Sequence, residues 1–195
     1  MDLVLVIDNY DSFVYNVVDS LARLGARAVV VRNDEITLSG ARRMNPDAVI
    51  ISPGPGHPAR ERDVGVSHKI IEYMGQDTPI LGICLGHQAI GYVYGAEIRR
   101  ARTIRHGKIS MIKHNGDPVY TGLPRVFPAM RYHSLVVDKL PQVLEATAYS
   151  TDDGEIMGIR HKRYPIVGVQ FHPESIGTRH GLRIIDNFLK HYRQA

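Results

Sequence analysis

The chain has 195 residues, 44% of them hydrophobic and 23% charged, with a net charge of +4 and a single cysteine, Cys84. That balance excludes a disordered, collagen-like or disulfide-scaffolded protein. One cysteine forbids an internal disulfide or a multi-cysteine metal site, and fits a reducing, cytoplasmic setting. Leu3 to Ile7 is a continuous apolar run ending at Asp8-Asn9; with acidic Asp2 and no basic segment before it, it reads as a first strand rather than a signal peptide. Ser12 to Leu24 carries Phe13, Val14, Val17, Leu21 and Leu24 at helical spacing and stops at Gly25. Ala28 to Val31 and Asp47 to Ile51 are further strands. The second runs into Ser52-Pro53-Gly54-Pro55-Gly56, which neither a helix nor a central strand tolerates. A helix begun near Asp63 ends with Ile70, Ile71 and Met74. Pro79 to Ile83 is a fourth buried strand, and His87 to Tyr94 is a helix closed by Gly95.

The second half is more polar. Arg99, Arg100, Arg102, Arg105, His106 and Lys108 form a dense basic patch with little aromatic interleaving, which suits an acidic partner surface or a solvated face better than nucleic acid. Ile109 to Ile112, Leu144 to Tyr149 and Glu155 to His161 are shorter strands, and Ile166 to Phe171 follows a turn at Arg163-Tyr164. A last helix from about Arg179 buries Leu182, Ile185, Phe188, Leu189 and Tyr192. No apolar run reaches the roughly 18 residues of a membrane helix. Continuous apolar strands joined by helices imply a parallel sheet covered on both faces. The expected fold is α/β, an open, mostly parallel sheet with helices on both faces plus a small antiparallel extension. It forms one domain over residues 1–195. Ligands are expected at the carboxyl ends of the parallel strands.

The sharpest segment is Pro79 to Gly91. An apolar strand runs straight into Cys84, a helix follows, and Gly82 and Gly86 flank the cysteine at equal spacing. This is the logic of a nucleophile elbow: a tight turn aims the side chain above the sheet, and its neighbours must be small. The helix start beside the sulfur favours an anion, and the Leu85 N–H is the first candidate oxyanion donor. The spacing alone leaves a buried structural cysteine open. A thiolate nucleophile needs a base, and the base an orienter. His172 and Glu174, separated by a strand-breaking proline, offer both: the extended geometry before Pro173 lets the carboxylate fold back to the imidazole. His87 reads as a structural histidine, and His57, His106 and His133 fall in other loops. No two histidines have the spacing of a zinc helix. The glycines of residues 52–58 expose backbone N–H groups, and a second oxyanion donor from the Gly56 region suits them; a plain Pro/Gly turn would look the same.

Three motifs stand in order: SPGPGHP at residues 52–58, GICLGHQ at 82–88 and GVQFHPES at 168–175. Together they resemble the class I, or triad, glutamine amidotransferases over almost the whole chain. VIDNYDSFVYN at 6–16 and MRYHSL at 130–135 are similar to the glutaminase subunits of chorismate-using synthases, anthranilate synthase foremost and aminodeoxychorismate synthase beside it. The resemblance implies that Cys84 attacks the side-chain amide of L-glutamine, with His172 as base and acid and Glu174 as its orienter. It implies backbone oxyanion donors at Leu85 and Gly56, and glutamine contacts at Gly54, Pro55, Gly56, Gln88, Ser134 and Leu135. It also implies a hetero-oligomer with a large synthase subunit, component I, that receives ammonia. No metal or other cofactor is expected in this chain; magnesium belongs to the partner. The loop from Asp8 to Tyr15 and the segment from Arg102 to Lys108 are the interface candidates. SPGPG and GVQFHPES argue against other cysteine-elbow enzymes of this size, and the intact Cys84, His172 and Glu174 argue against a non-catalytic regulatory subunit.

Overall fold

The architecture comes from a computed structural model, which describes residues 2–192. The first half alternates strands and helices: β1 (Leu3–Asp8), α1 (Val14–Arg23), β2 (Arg27–Arg32), α2 (Leu38–Arg43), β3 (Ala48–Ile51), α3 (Glu61–Val64), α4 (Ser67–Tyr73), β4 (Ile80–Ile83) and α5 (Leu85–Val93). The second half holds β5 (Glu97–His114), a single 3-10 turn at Pro118–Tyr120, β6 (Val126–Asp138), β7 (Leu144–Ser150), β8 (Ile156–His161), β9 (Ile166–Val169) and α6 (Gly181–His191). All nine strands join one sheet in the order β2-β1-β3-β4-β9-β8-β7-β5-β6. β2, β1, β3, β4 and β9 run parallel, and β8, β7, β5 and β6 pair antiparallel beyond them.

The apolar run of β1 shows why the sheet is covered twice. Val4 and Val6 face a core with Val14, Val17 and Leu21 of α1 and Ile184, Ile185 and Phe188 of α6. Leu5 and Ile7 face the opposite core, with Ile70 and Ile71 of α4 and Ala89 and Ile90 of α5. Each such side chain contributes about 1.5–3 kcal/mol on burial, so the helices are held by the strand pattern rather than by intrinsic propensity. Among the described residues no helix is long and apolar enough to cross a membrane.

Several elements depart from the sequence reading. The mostly parallel sheet with an antiparallel extension is as expected, but the extension's strands are longer than the sequence reading: among the described residues it supplies four of the nine strands, and β5 runs for 18 residues against the 13 of β6. Most of β5 was hidden because its basic stretch is largely exposed and resembles a solvated loop. His106 and His133 lie in paired strands, not loops, with Arg105 opposite His133 and His106 opposite Tyr132. The short α2 carries no strong apolar stripe and rests on a capping threonine, whose Thr37 Oγ1 accepts from the Gly40 amide at 3.1 Å. The helix expected from Asp63 is split into α3 and α4 at Gly65, where φ is +48° and a Cβ would lie 2.3 Å from the Asn33 carbonyl oxygen.

Candidate active site

Cys84 sits between the last residue of β4 and the first of α5, at φ 52° and ψ −99°. Non-glycine residues seldom take that backbone conformation, and where they do the surroundings must enforce it. Here the Cys84 amide donates to the Val169 carbonyl at 2.9 Å, and its carbonyl accepts the Gln88 amide at 3.0 Å. The flanking glycines are required by close approach. A Cβ on Gly82 would lie 2.5 Å from the Gly86 carbonyl, and one on Gly86 would lie 2.3 Å from the Ile51 oxygen. The first amides of α5 find no acceptor within the helix, so its positive end lies beside the sulfur.

His172 reaches the same place from the other side. Beyond β9 its amide donates to the Met130 carbonyl at 2.9 Å, and its own carbonyl accepts Thr178 Oγ1 at 2.6 Å. Across Pro173 its Nδ1 meets Glu174 Oε1 at 2.5 Å. Nδ1 therefore carries a proton and Nε2 is left for the sulfur. Burial of the ring opposes protonation. The neighbouring Cys84 outweighs that, Glu174 adds to it, and His172 is held well above its ordinary range. The Tyr132 ring stands edge-on at 5.1 Å. Asp11 lies behind the pair; burial, then the nearby Glu174 carboxylate, raise its carboxyl, against the Phe13 amide that lowers it.

The loop after β3 is built to hold its backbone open. Ser52 Oγ accepts from the Asn9 amide at 2.9 Å, and Asn9 Nδ2 donates to the Ser52 carbonyl at 2.9 Å. Gly54 is pinned against Asn9, where a Cβ would lie 2.3 Å from the carbonyl oxygen, and Gly56 has φ +109° against the Asp63 carboxylate. Asp63 in turn accepts the His57 amide at 2.9 Å. Pro55 lies between the two glycines. Gln88 is buried one turn along α5 and donates to the Leu135 carbonyl at 3.0 Å. Leu135 and the exposed Ser134 lie on β6. His87 is sealed against Gly168, where burial pushes its imidazole down to about 4. Outside the pair, Phe13, Asn16, Tyr132, Glu174, Ser175 and Ile176 line a cleft of about 600 Å³ that His172 also borders.

The triad-type side chains, the Gly-rich loop and Gln88 therefore converge at the carboxyl ends of β3, β4 and β9. The chain matches the family "Glutamine amidotransferase class-I" over residues 5–192. It belongs to the class I glutamine amidotransferases. It is 57% identical to anthranilate synthase component 2 of Saccharolobus solfataricus, covering 97% of this chain and 98% of that protein. It is 46% identical to the aminodeoxychorismate/anthranilate synthase component 2 of Bacillus subtilis, covering 98% of each. A solved structure from Thermoplasma acidophilum, described as a GMP synthase protein, superposes with a TM-score of 0.85 at 26% identity, over 97% of this chain and 92% of that one.

Behind the site lie two buried polar residues that the sequence reading passed over. Gln170 is fully buried and points its amide at the cysteine, with Nε2 3.6 Å from Cys84 Sγ. A signal was present: it is a polar residue between apolar Val169 and Phe171, within GVQFHPES. Arg131 was missed too, buried at 0% exposure inside MRYHSL. Among the described residues no cluster of three or more metal-ligating side chains occurs.

Proposed function

We propose that this amidotransferase is the glutaminase subunit of an anthranilate synthase and that Cys84, His172 and Glu174 are its catalytic residues. The observation that carries the reading is the elbow at Cys84 facing an imidazole whose other nitrogen is held by Glu174. The Cys84 thiolate attacks the side-chain carbonyl carbon of L-glutamine. The oxyanion that forms is received by the N–H groups of Leu85 and Gly56. His172 gives its Nε2 proton to the departing nitrogen, so ammonia leaves and a glutamyl thioester remains. Water then attacks the thioester, His172 takes its proton, and glutamate is released with the thiolate restored. Glu174 keeps the imidazole oriented and balances its charge throughout. Gly54, Pro55, Gln88, Ser134 and Leu135 hold the substrate.

The ammonia goes to a large, chorismate-binding synthase subunit in a cytoplasmic hetero-oligomer. Tyr10, Phe13, Tyr15 and Ile176 are large, apolar and exposed around the catalytic end, and the bulged basic stretch of β5 pairs beside Tyr132. Together they make a mixed apolar and basic face for that partner. This chain needs no cofactor of its own; magnesium acts in the partner. The name of the Bacillus subtilis relative covers both branches, so service to an aminodeoxychorismate synthase is the second reading.

The test mixes the purified chain with each large subunit in turn and follows chorismate-dependent glutamine hydrolysis and the product. Stimulation by the anthranilate subunit supports the proposal; stimulation by the other alone overturns it. Cys84→Ser abolishes glutamine-dependent synthesis and spares ammonia-dependent synthesis. Loss of both would break the proposed division of labour.

A further inference from the structure

The catalytic sulfur has a second polar neighbour besides His172. Gln170 Nε2 donates to Cys84 Sγ at 3.6 Å. Its Oε1 accepts from Gln88 Nε2 at 3.1 Å, and the same Gln88 amide donates to the Leu135 carbonyl at 3.0 Å. That carbonyl also meets His133 Nδ1 at 2.9 Å, and His133 Nε2 accepts from Arg131 Nε at 2.9 Å. The Arg131 guanidinium is locked by Ser110 Oγ at 3.1 Å and Ser150 Oγ at 3.0 Å, and by the Asp153 carboxylate at 3.0 Å. Asp153 and Asp152 each lie 3.7 Å from Arg105, in the bulged basic stretch of β5.

Each link dictates the next. A guanidinium only donates, so His133 Nε2 must accept and its proton sits on Nδ1. A carbonyl only accepts, so it takes Nδ1–H of His133 and turns the NH2 of Gln88 towards itself. The second hydrogen of that NH2 then turns the oxygen of Gln170 inward and its NH2 outward. Cys84 Sγ is thereby always offered an N–H, in a water-excluded site where such a bond to an anion is strongest.

We propose that Gln170 is a positioning residue for the reactive thiolate, its amide orientation imposed from Arg131 through His133, the Leu135 carbonyl and Gln88. Gln170 takes no part in bond making. It fixes the direction of the sulfur, favours its anionic form and ties it to the strand that carries the basic face. The inference rests on the catalytic reading of Cys84.

Alkylation by iodoacetamide tests it, because Cys84 is the one cysteine of the chain and the reaction needs neither glutamine nor a partner. The titratable and charged groups around the sulfur are His172, Glu174 and Asp11 on one side, His87 from α5, and His133 and Arg131 from β6. The variants leave all of these except His133 unchanged. Gln170→Leu removes both amide functions. Gln170→Met keeps the length of the side chain and adds no charge while removing the donor to sulfur. Both should move the pH midpoint of alkylation up by about one unit, a roughly tenfold slower reaction below it, and lower kcat more than they raise KM. His133→Leu should shift the midpoint the same way by less. A wild-type midpoint in both Gln170 variants, with only the melting temperature lowered, makes Gln170 structural and overturns the proposal. A wild-type midpoint in His133→Leu alone overturns the imposed orientation. Shifted midpoints in a chain that hydrolyses no glutamine with either synthase subunit would keep the positioning role and sink the functional reading instead.

Discussion

Replacing Gly86 with alanine disturbs the elbow without touching a reacting atom. The new methyl carbon would lie 2.3 Å from the Ile51 carbonyl oxygen and 3.0 Å from its carbonyl carbon. Comfortable contact needs about 3.5 Å, so α5 and β3 must separate by roughly 1 Å. Ile51 cannot yield alone, because it is fully buried and paired to β1 on one side and β4 on the other. Overpacking of this kind costs about 1–3 kcal/mol, which lowers the melting temperature of a chain this size by roughly 3–9 °C. The same shift moves Cys84 relative to the loop that leaves β3 at Ser52, and a displacement near 1 Å costs about a hundredfold in turnover. Gly95→Ala is the control. It strains a backbone at φ +91° but meets nothing within 4 Å, so it loses stability and keeps turnover. The assays are thermal unfolding by circular dichroism and steady-state glutamine hydrolysis with the large subunit present. Wild-type kcat/KM in Gly86→Ala, or an equal loss in Gly95→Ala, would refute the close-approach account of the elbow.

Two further outcomes are expected. His87 is neutral in the folded chain, its imidazole pushed down to about 4 by burial; the unfolded chain takes up a proton near pH 6.5, so stability is whole above that pH and falls by about 1.4 kcal/mol per unit between pH 6.5 and 4. His133, held down to about 3 by burial and by Arg131, adds a similar slope over that window. His172, held up, is protonated in both states below pH 6.5 and adds none. Urea unfolding of His87→Leu at pH 6, 5 and 4.5 should show a slope shallower by about 1.4 kcal/mol per unit than the wild type; parallel slopes would contradict this. Arg131→Met leaves the buried Asp153 carboxylate without its main partner and should cost about 3 kcal/mol, of which Asp153→Asn in the same chain restores part. Strictly additive losses in the double-mutant cycle would show that the pair is not coupled.

The parallel half was legible because each of its strands is a short apolar run bounded by turn residues, as at Leu3 to Ile7 and Pro79 to Ile83. The elbow was legible because glycine spacing reports steric closeness directly. The β5–β6 ribbon was not: its register breaks between Arg100 and Arg105 and between His106 and Lys108, and its basic residues mask the alternation a strand should show. The split at Gly65 was invisible because its cause, the Asn33 carbonyl, lies far along the chain. The polar chain behind Cys84 was hidden for the same reason. Gln170 and Cys84 are 86 residues apart, and nothing local to GVQFHPES says which way an amide will turn.

The place of β9 in the sheet has a consequence for how the protein is made. It is the last strand in sequence, yet it is laid between β4 and β8. A chain emerging from the ribosome therefore holds two unpaired edges in its middle until residues 166–169 arrive, and both are open to pairing with other chains during that interval. His172 lies just beyond that strand, so on the proposed mechanism Cys84 has no base until the gap is filled. On the proposed mechanism a nascent chain, or one cut before β9, should thus be silent, with ammonia made only by a finished sheet.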